Sequence, residues 1–159
     1  MATIKLEGFG YYERILRELQ NESEDIIKSG VYEGAKIVAD AVRTQISGIR
    51  TEGPSKYETE RREIQKQALK DSLGITTMRN DNGFINVKIG FDGYNDLKSA
   101  CWPQGQPNAM VARIFESGTS FSSKQPFFKR AINQSKRLAA EKMKMKIDER
   151  IHAIERGRR

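Results

Sequence analysis

The sequence predicts an α+β domain, a small antiparallel sheet with a hairpin packed against two or more long helices. Three observations carry this. Apolar residues recur in steps of three and four over two long stretches, the period of a helix with one buried face. Between those stretches the period drops to two on either side of Asn82-Gly83, the strongest short hairpin signal. Segments carrying Gly, Pro and Ser separate the pieces. The length of 159 residues suits one domain with a core of its own, expected over 1–155, with 156–159 as a flexible basic tail.

Taken in order, Thr3–Glu7 alternates weakly and reads as a short strand. From Tyr12 the residues Leu16, Leu19, Ile26, Ile27, Val31, Val38 and Val42 mark an amphipathic helix. The patch Asn21–Asp25 combines cap formers with acids, so it predicts a break or kink, with the long part over Glu24–Ser47. Gly48–Lys56 reads as a loop. Tyr57–Leu73 is rich in helix formers and predicts a helix with Ile64, Ala68, Leu69 and Leu73 inward. Ile75–Met78 and Phe84–Phe91 are the hairpin strands around Arg79–Gly83, with Ile85, Val87, Ile89 and Phe91 on the buried face.

Asp92–Asn108 is a long loop that holds the only Trp, and loops of that length are commonly functional. Met110–Glu116 reads as a short helix and Gly118–Gln125 as a second loop. Pro126 then opens the last helix, since a first-turn proline loses no hydrogen bond. That helix is expected to run to about Glu155, with Phe128, Ile132, Ser135, Ala139, Met143, Ile147, Ile151 and Ile154 as its stripe. Ring chemistry at Trp102, flanked by Pro103 and Pro107, makes that part of the long loop a candidate contact with a neighbouring subunit.

Composition narrows the chemistry. One cysteine, Cys101, leaves no partner for an intramolecular disulfide and no Cys-based zinc site. One histidine, His152, sits beside Asp148 and Glu155 at helical spacing and reads as a surface ion pair. Glu58, Glu60 and Glu63 are interleaved with Arg61, Arg62 and Lys66, the pattern of a solvated face. Asp92 and Asp96 fit a turn and lack the spacing of a calcium loop. No phosphate loop or dinucleotide fingerprint is present. The expectation is a protein that is not an enzyme, with no catalytic residues, no cofactor and no metal. No signal core or membrane-length apolar run is seen, so the chain is expected to be made in the cytoplasm, with no membrane partner.

The formal net charge is +7, and it is unevenly placed. Residues 121–159 hold 12 Lys and Arg against 4 Asp and Glu, whereas 1–120 hold 16 against 17. On a helical wheel Lys129, Arg130, Lys136, Arg137 and Lys144 fall within about 120° of one another. Such a face suits a DNA channel or an acidic protein partner, touching phosphates without reading bases.

One stretch carries a family resemblance. Ala112-Arg113-Ile114-Phe115-Glu116-Ser117-Gly118-Thr119-Ser120, followed by Gln125-Pro126-Phe127-Phe128 and Ala131, resembles the "Glu-x-Gly-Thr … Pro-Phe-hydrophobic … Ala" signature of a small phage family. These are the tail-completion, or head–tail joining (neck), proteins typified by the gene-ten product of phage HK-97. Leu69-Lys70-Asp71-Ser72 matches that family's Leu-x-x-Ser core without its preceding Thr-Gly, and Lys88-Ile89-Gly90 fits its strand. Gly48–Lys66 stands as an insertion relative to it.

The resemblance implies a structural virion protein at the head–tail interface of a long-tailed phage. Its partners would be copies of itself in a cyclic oligomer (a hexamer, or else a dodecamer), the neighbouring connector, and the tail-tube or tail-terminator protein. Double-stranded DNA would pass through the ring. Glu116, Gly118, Thr119, Pro126, Phe127, Phe128 and Ala131 would then maintain the fold, with a buried Glu116 bonded to N–H groups of the Gly118–Ser120 turn. The alternative is a free-standing, non-specific DNA-binding protein that uses the basic C-terminal helix.

Overall fold

The structure is a computed structural model and describes residues 10–156. In chain order its elements are α1 (Gly10–Ser47), α2 (Lys56–Ser72), β1 (Leu73–Ile75), β2 (Arg79–Asp81), β3 (Phe84–Asn86), β4 (Ile89–Phe91), α3 (Asn108–Ser117) and α4 (Phe127–Arg156). The class is the one the sequence predicts. The strand expected at Thr3–Glu7 lies outside the described residues, as do 157–159.

Helix α1 runs unbroken for 38 residues, where a break or kink at Asn21–Asp25 was expected. Two of those polar residues are satisfied within the helix. Ser23 Oγ donates to the Gln20 carbonyl at 3.0 Å, and Lys28 Nζ lies 2.7 Å from Glu24. A long neighbour supplies the rest of the stability, because α4 packs antiparallel along α1. Gly30 faces Ile147, Gly34 faces Met143, and Gln45 bonds Gln134 at 3.0 Å. At the far end Arg150 reaches Glu22 at 3.6 Å.

The seam between the two helices steps by four. On α1 it follows Ile26, Gly30, Gly34, Val38, Val42 and Ile46, and on α4 Phe127, Ala131, Ser135 and Ala139, then Met143 and Ile147. A step of four advances about 40° beyond a full turn, so the buried line winds around each helix. This corrects the expected α4 stripe: Ile132 is 40% exposed, and Phe127 and Ala131 are buried. Small residues at the crossing let the backbones approach. A Cβ on Gly30 would sit 2.7 Å from Ile147 Cγ1.

Ser55 caps α2, accepting from the Glu58 N–H at 3.2 Å. Its inner face also differs from expectation. Leu69 is fully buried, but Ile64 is exposed and Gln65 takes the inward place. Gln65 Nε2 donates to Gln106 Oε1 at 2.7 Å, which makes a polar side chain tolerable inside.

The hairpin turns at Asn82 (φ 55°) and Gly83 (φ 90°), the two left-handed residues that a tight antiparallel turn requires. It is a pair of short ladders. β1 pairs with β4 from Leu73↔Phe91 to Ile75↔Ile89, and β2 pairs with β3 from Arg79↔Asn86 to Asp81↔Phe84. Arg79–Asp81, expected in the loop, is therefore strand. Between the ladders Thr76 N–H bonds the Lys88 carbonyl at 2.9 Å, leaving Thr77 and Met78 opposite Val87, a one-residue bulge.

The core lies where α1, α2, α3 and the start of α4 meet, around Val42, Ile46, Leu69, Val111, Phe115 and Ala131. Ile89 and Phe91 pack against it from the sheet. The two long helices were expected to cover the sheet's apolar face. They pack chiefly on each other, and that face stays half-buried.

Candidate assembly and nucleic-acid interface

The family-like residues form one structural unit, the corner between α3 and α4. Helix α3 ends at Gly118, whose φ of 75° and contacts exclude a side chain, because a Cβ there would lie 2.8 Å from the Lys124 nitrogen. The Gly118 N–H closes on the Ile114 carbonyl at 2.8 Å. Thr119 and Ser122 then bridge one another. The Gln125 N–H returns to the Phe115 carbonyl at 2.7 Å. Proline 126 sits just before α4, and its carbonyl accepts from Arg130 at 3.3 Å.

Glu116 has a different partner from the one expected. Its two carboxylate oxygens accept the N–H groups of Phe128 at 2.8 Å and Lys129 at 3.1 Å. They cap α4, where unpaired donors and the helix dipole favour an anion. Phe127 is buried, and Phe127, Phe128 and Phe91 stand edge to face with centroids 6.0 to 6.3 Å apart. Ala131 is fully buried beneath them. The corner thus fixes the direction in which α4 leaves the core.

That direction displays the basic face. Lys129, Arg130, Lys136, Arg137 and Lys144 are all exposed. Arg137 lies 3.6 Å from Glu141, whereas the other four have no carboxylate within ion-pair distance among the described residues. Helix α1 differs, with Lys28, Lys36 and Arg43 paired to Glu24, Glu33 and Asp40. Hydrogen bonding to Glu24, followed by weaker effects, raises the Lys28 pKa, and Glu33 does the same for Lys36.

The 92–108 loop is tied at its base. The Asn95 N–H donates to the Gln106 carbonyl at 2.9 Å, and Asn95 Oδ1 accepts the Gln106 N–H at 3.0 Å. Asn108 Nδ2 holds the Asp92 carbonyl at 2.8 Å. Trp102 is half-buried within a turn in which Ser99 and Trp102 exchange backbone hydrogen bonds at 3.0 Å. Pro103 is exposed, and Pro107 is half-buried as the residue preceding α3. Sequence reasoning missed the Gln65–Gln106–Asn95 network, which joins segments that nothing local connects.

Some other titratable residues have partners on the surface. His152 Nδ1 lies 2.9 Å from Glu155, Arg61 lies 3.4 Å from Glu58, and Asp92 accepts from the Gly93 N–H at 2.7 Å. Among the described residues no group of three His, Cys, Asp or Glu is placed to hold a metal ion, and no helix is long and apolar enough to cross a membrane. No family model, no curated protein and no solved structure matches this chain.

Proposed function

We propose that this chain is a structural subunit that assembles with copies of itself into a ring at the head–tail joint of a long-tailed phage. There it would link the portal–connector to the tail tube and let DNA pass. The hairpin Leu73–Phe91 is the observation that carries self-assembly. Neither of its two ladders has a third strand among the described residues, and two-stranded sheets are marginal alone. Phe84 at its tip is 78% exposed, and Ile89 and Phe91 are only half-covered. Unpaired strand edges beside apolar side chains suit a neighbouring copy, and a head-to-tail contact of that kind closes into a ring when the rotation allows. The head–tail assignment comes from the sequence resemblance. The joined α3–α4 corner supports it, because the resembling residues act together.

The test is the native mass of the chain in solution. A hexamer or dodecamer that Phe84→Asp reduces to monomer supports the reading, and a monomer at every concentration overturns it. The second reading is a free-standing, non-specific DNA-binding protein, favoured by the unneutralised Lys129, Arg130, Lys136 and Lys144. Reversing Lys129, Arg130, Lys136 and Arg137 to Glu tests the basic face. Joined heads and tails that still form and hold their DNA would remove it from the ring's function, and an unchanged affinity for duplex DNA would remove the second reading.

A further inference from the structure

A second cationic feature adjoins the α4 face and shares Arg130 with it, in a cleft of about 500 Å³ between the 48–52 loop and the 121–125 loop. Arg50, Arg62, Lys124 and Arg130 line it, with Glu52 as the one acidic residue. The four cations come from the α1–α2 loop, α2, the α3–α4 loop and α4, so no local sequence pattern announces them. None has a carboxylate within ion-pair distance among the described residues. Like charges gathered this way repel one another unless a counter-anion sits between them.

The walls are built. Gln125 clamps the backbone of Arg50 from both sides, its Oε1 accepting the N–H at 2.8 Å and its Nε2 donating to the carbonyl at 3.0 Å. Arg62 Nη1 donates to the Glu52 carbonyl at 2.7 Å, which holds the guanidinium at the rim. Phe121, also on the lining, is 95% exposed, an aromatic ring standing in water at the edge of a cationic cleft.

We infer that this cleft binds the phosphodiester backbone of a single nucleic-acid strand, with one unpaired base stacked on Phe121. Three arginines supply planar, bidentate donors for phosphate oxygens. A stacking ring beside a charged groove is how strands are held without sequence preference. An acidic peptide would also meet the cations, but two features favour a longer polyanion. Phe121 offers a flat face rather than a pocket. The charge also continues beyond the cleft, because Arg130, Arg137 and Lys144 recur every seven residues and so track about 21 Å along one side of α4. The inference does not rest on ring formation, and the mass of each variant is measured alongside binding so that the two can fail separately.

The experiment uses the full chain and fluorescence anisotropy at low salt. The probes are a labelled thymidine oligonucleotide of about twelve residues, a duplex of the same length and a poly-glutamate peptide. The expected result is oligonucleotide binding that weakens steeply with salt. Arg50→Glu with Lys124→Glu should lower the affinity at least about tenfold. Lys88→Glu with Lys142→Glu, an equal charge change outside the cleft, should lower it far less. Phe121→Ala removes an exposed ring and leaves the fold intact. It should weaken oligonucleotide binding about tenfold and leave duplex binding unchanged. Absence of oligonucleotide binding, equal losses in the two charge-reversed variants, or tighter binding of poly-glutamate would each overturn the proposal.

Discussion

The Glu116 carboxylate accepts the Phe128 N–H at 2.8 Å, so the last turn of α3 caps the first turn of α4 across the Gly118 loop. A second bond to Lys129 at 3.1 Å uses the other oxygen. The anion meets the positive end of a 30-residue helix, and both ends of the loop are fixed by one side chain. Glu116→Gln keeps one acceptor and loses the charge. It should cost about 1 kcal/mol, and Glu116→Ala about 1 to 2 kcal/mol. Urea denaturation reads the change, and a loss no larger than that of an exposed control such as Glu141→Ala would show that the cap contributes nothing.

The need for a partner at Glu116 was legible in the sequence, but the partner was not. Capping rules look a few residues along the chain, and this cap joins residues 12 apart through a folded corner. The helices and hairpin were legible because period and turn chemistry are local. The α4 stripe was misplaced at Ile132 because a step of three from there to Ser135 also fits a helical period, whereas the true seam reaches Ser135 by steps of four from Phe127 and Ala131. Gln65 was hidden for another reason. Its burial depends on Gln106, which arrives from the far side of the hairpin. The exposure of the basic α4 face was readable from the wheel. The Arg50–Arg62–Lys124–Arg130 cleft was not, since only the fold brings those segments together.

Close approach of α1 and α4 makes a second prediction. A side chain at Gly34 would run into Met143, with the Ala139 carbonyl 3.5 Å from the added Cβ. Leucine is the better helix former by roughly 1 kcal/mol, so propensity alone would stabilise Gly34→Leu. Overpacking of a filled seam opposes this and costs about 1 to 3 kcal/mol. The net effect should be destabilising, and thermal melting gives the sign. A raised melting temperature would mean that the helices separate easily.

Glu24 supplies a pH dependence. A hydrogen bond from Lys28, the larger cause, and one from Asn80 on β2 lower its pKa. A carboxyl group whose folded pKa is depressed stabilises the fold above its unfolded pKa, and that contribution disappears as the pH falls through the folded value. The wild type should therefore melt slightly above Glu24→Gln at neutral pH, and the two should converge in acid below the Glu24 pKa. The side chain is open to solvent, so added salt should shrink the difference. A gap that persists unchanged in acid would assign the effect to something other than ionisation.

The 92–108 loop yields the prediction that bears most directly on assembly. Its base is held by Gln106, whose side chain accepts from Gln65 at 2.7 Å, whose carbonyl accepts the Asn95 N–H and whose own N–H donates to Asn95 Oδ1. Gln106→Ala strands a buried Gln65 amide, and a buried donor without a partner costs about 1 to 3 kcal/mol. Trp102 stands further out, half-buried, with its backbone tied to Ser99 and Gly105 of its own loop. The two positions should therefore separate stability from association. Gln106→Ala should lower the melting temperature of the isolated chain. Trp102→Ala should leave that temperature nearly unchanged and weaken the oligomer, read as a shift toward monomer in native mass on dilution. If Trp102→Ala unfolds the chain, the indole pins its own loop and the contact must lie elsewhere. An unchanged oligomer would likewise leave the half-covered hairpin as the surface on which copies meet.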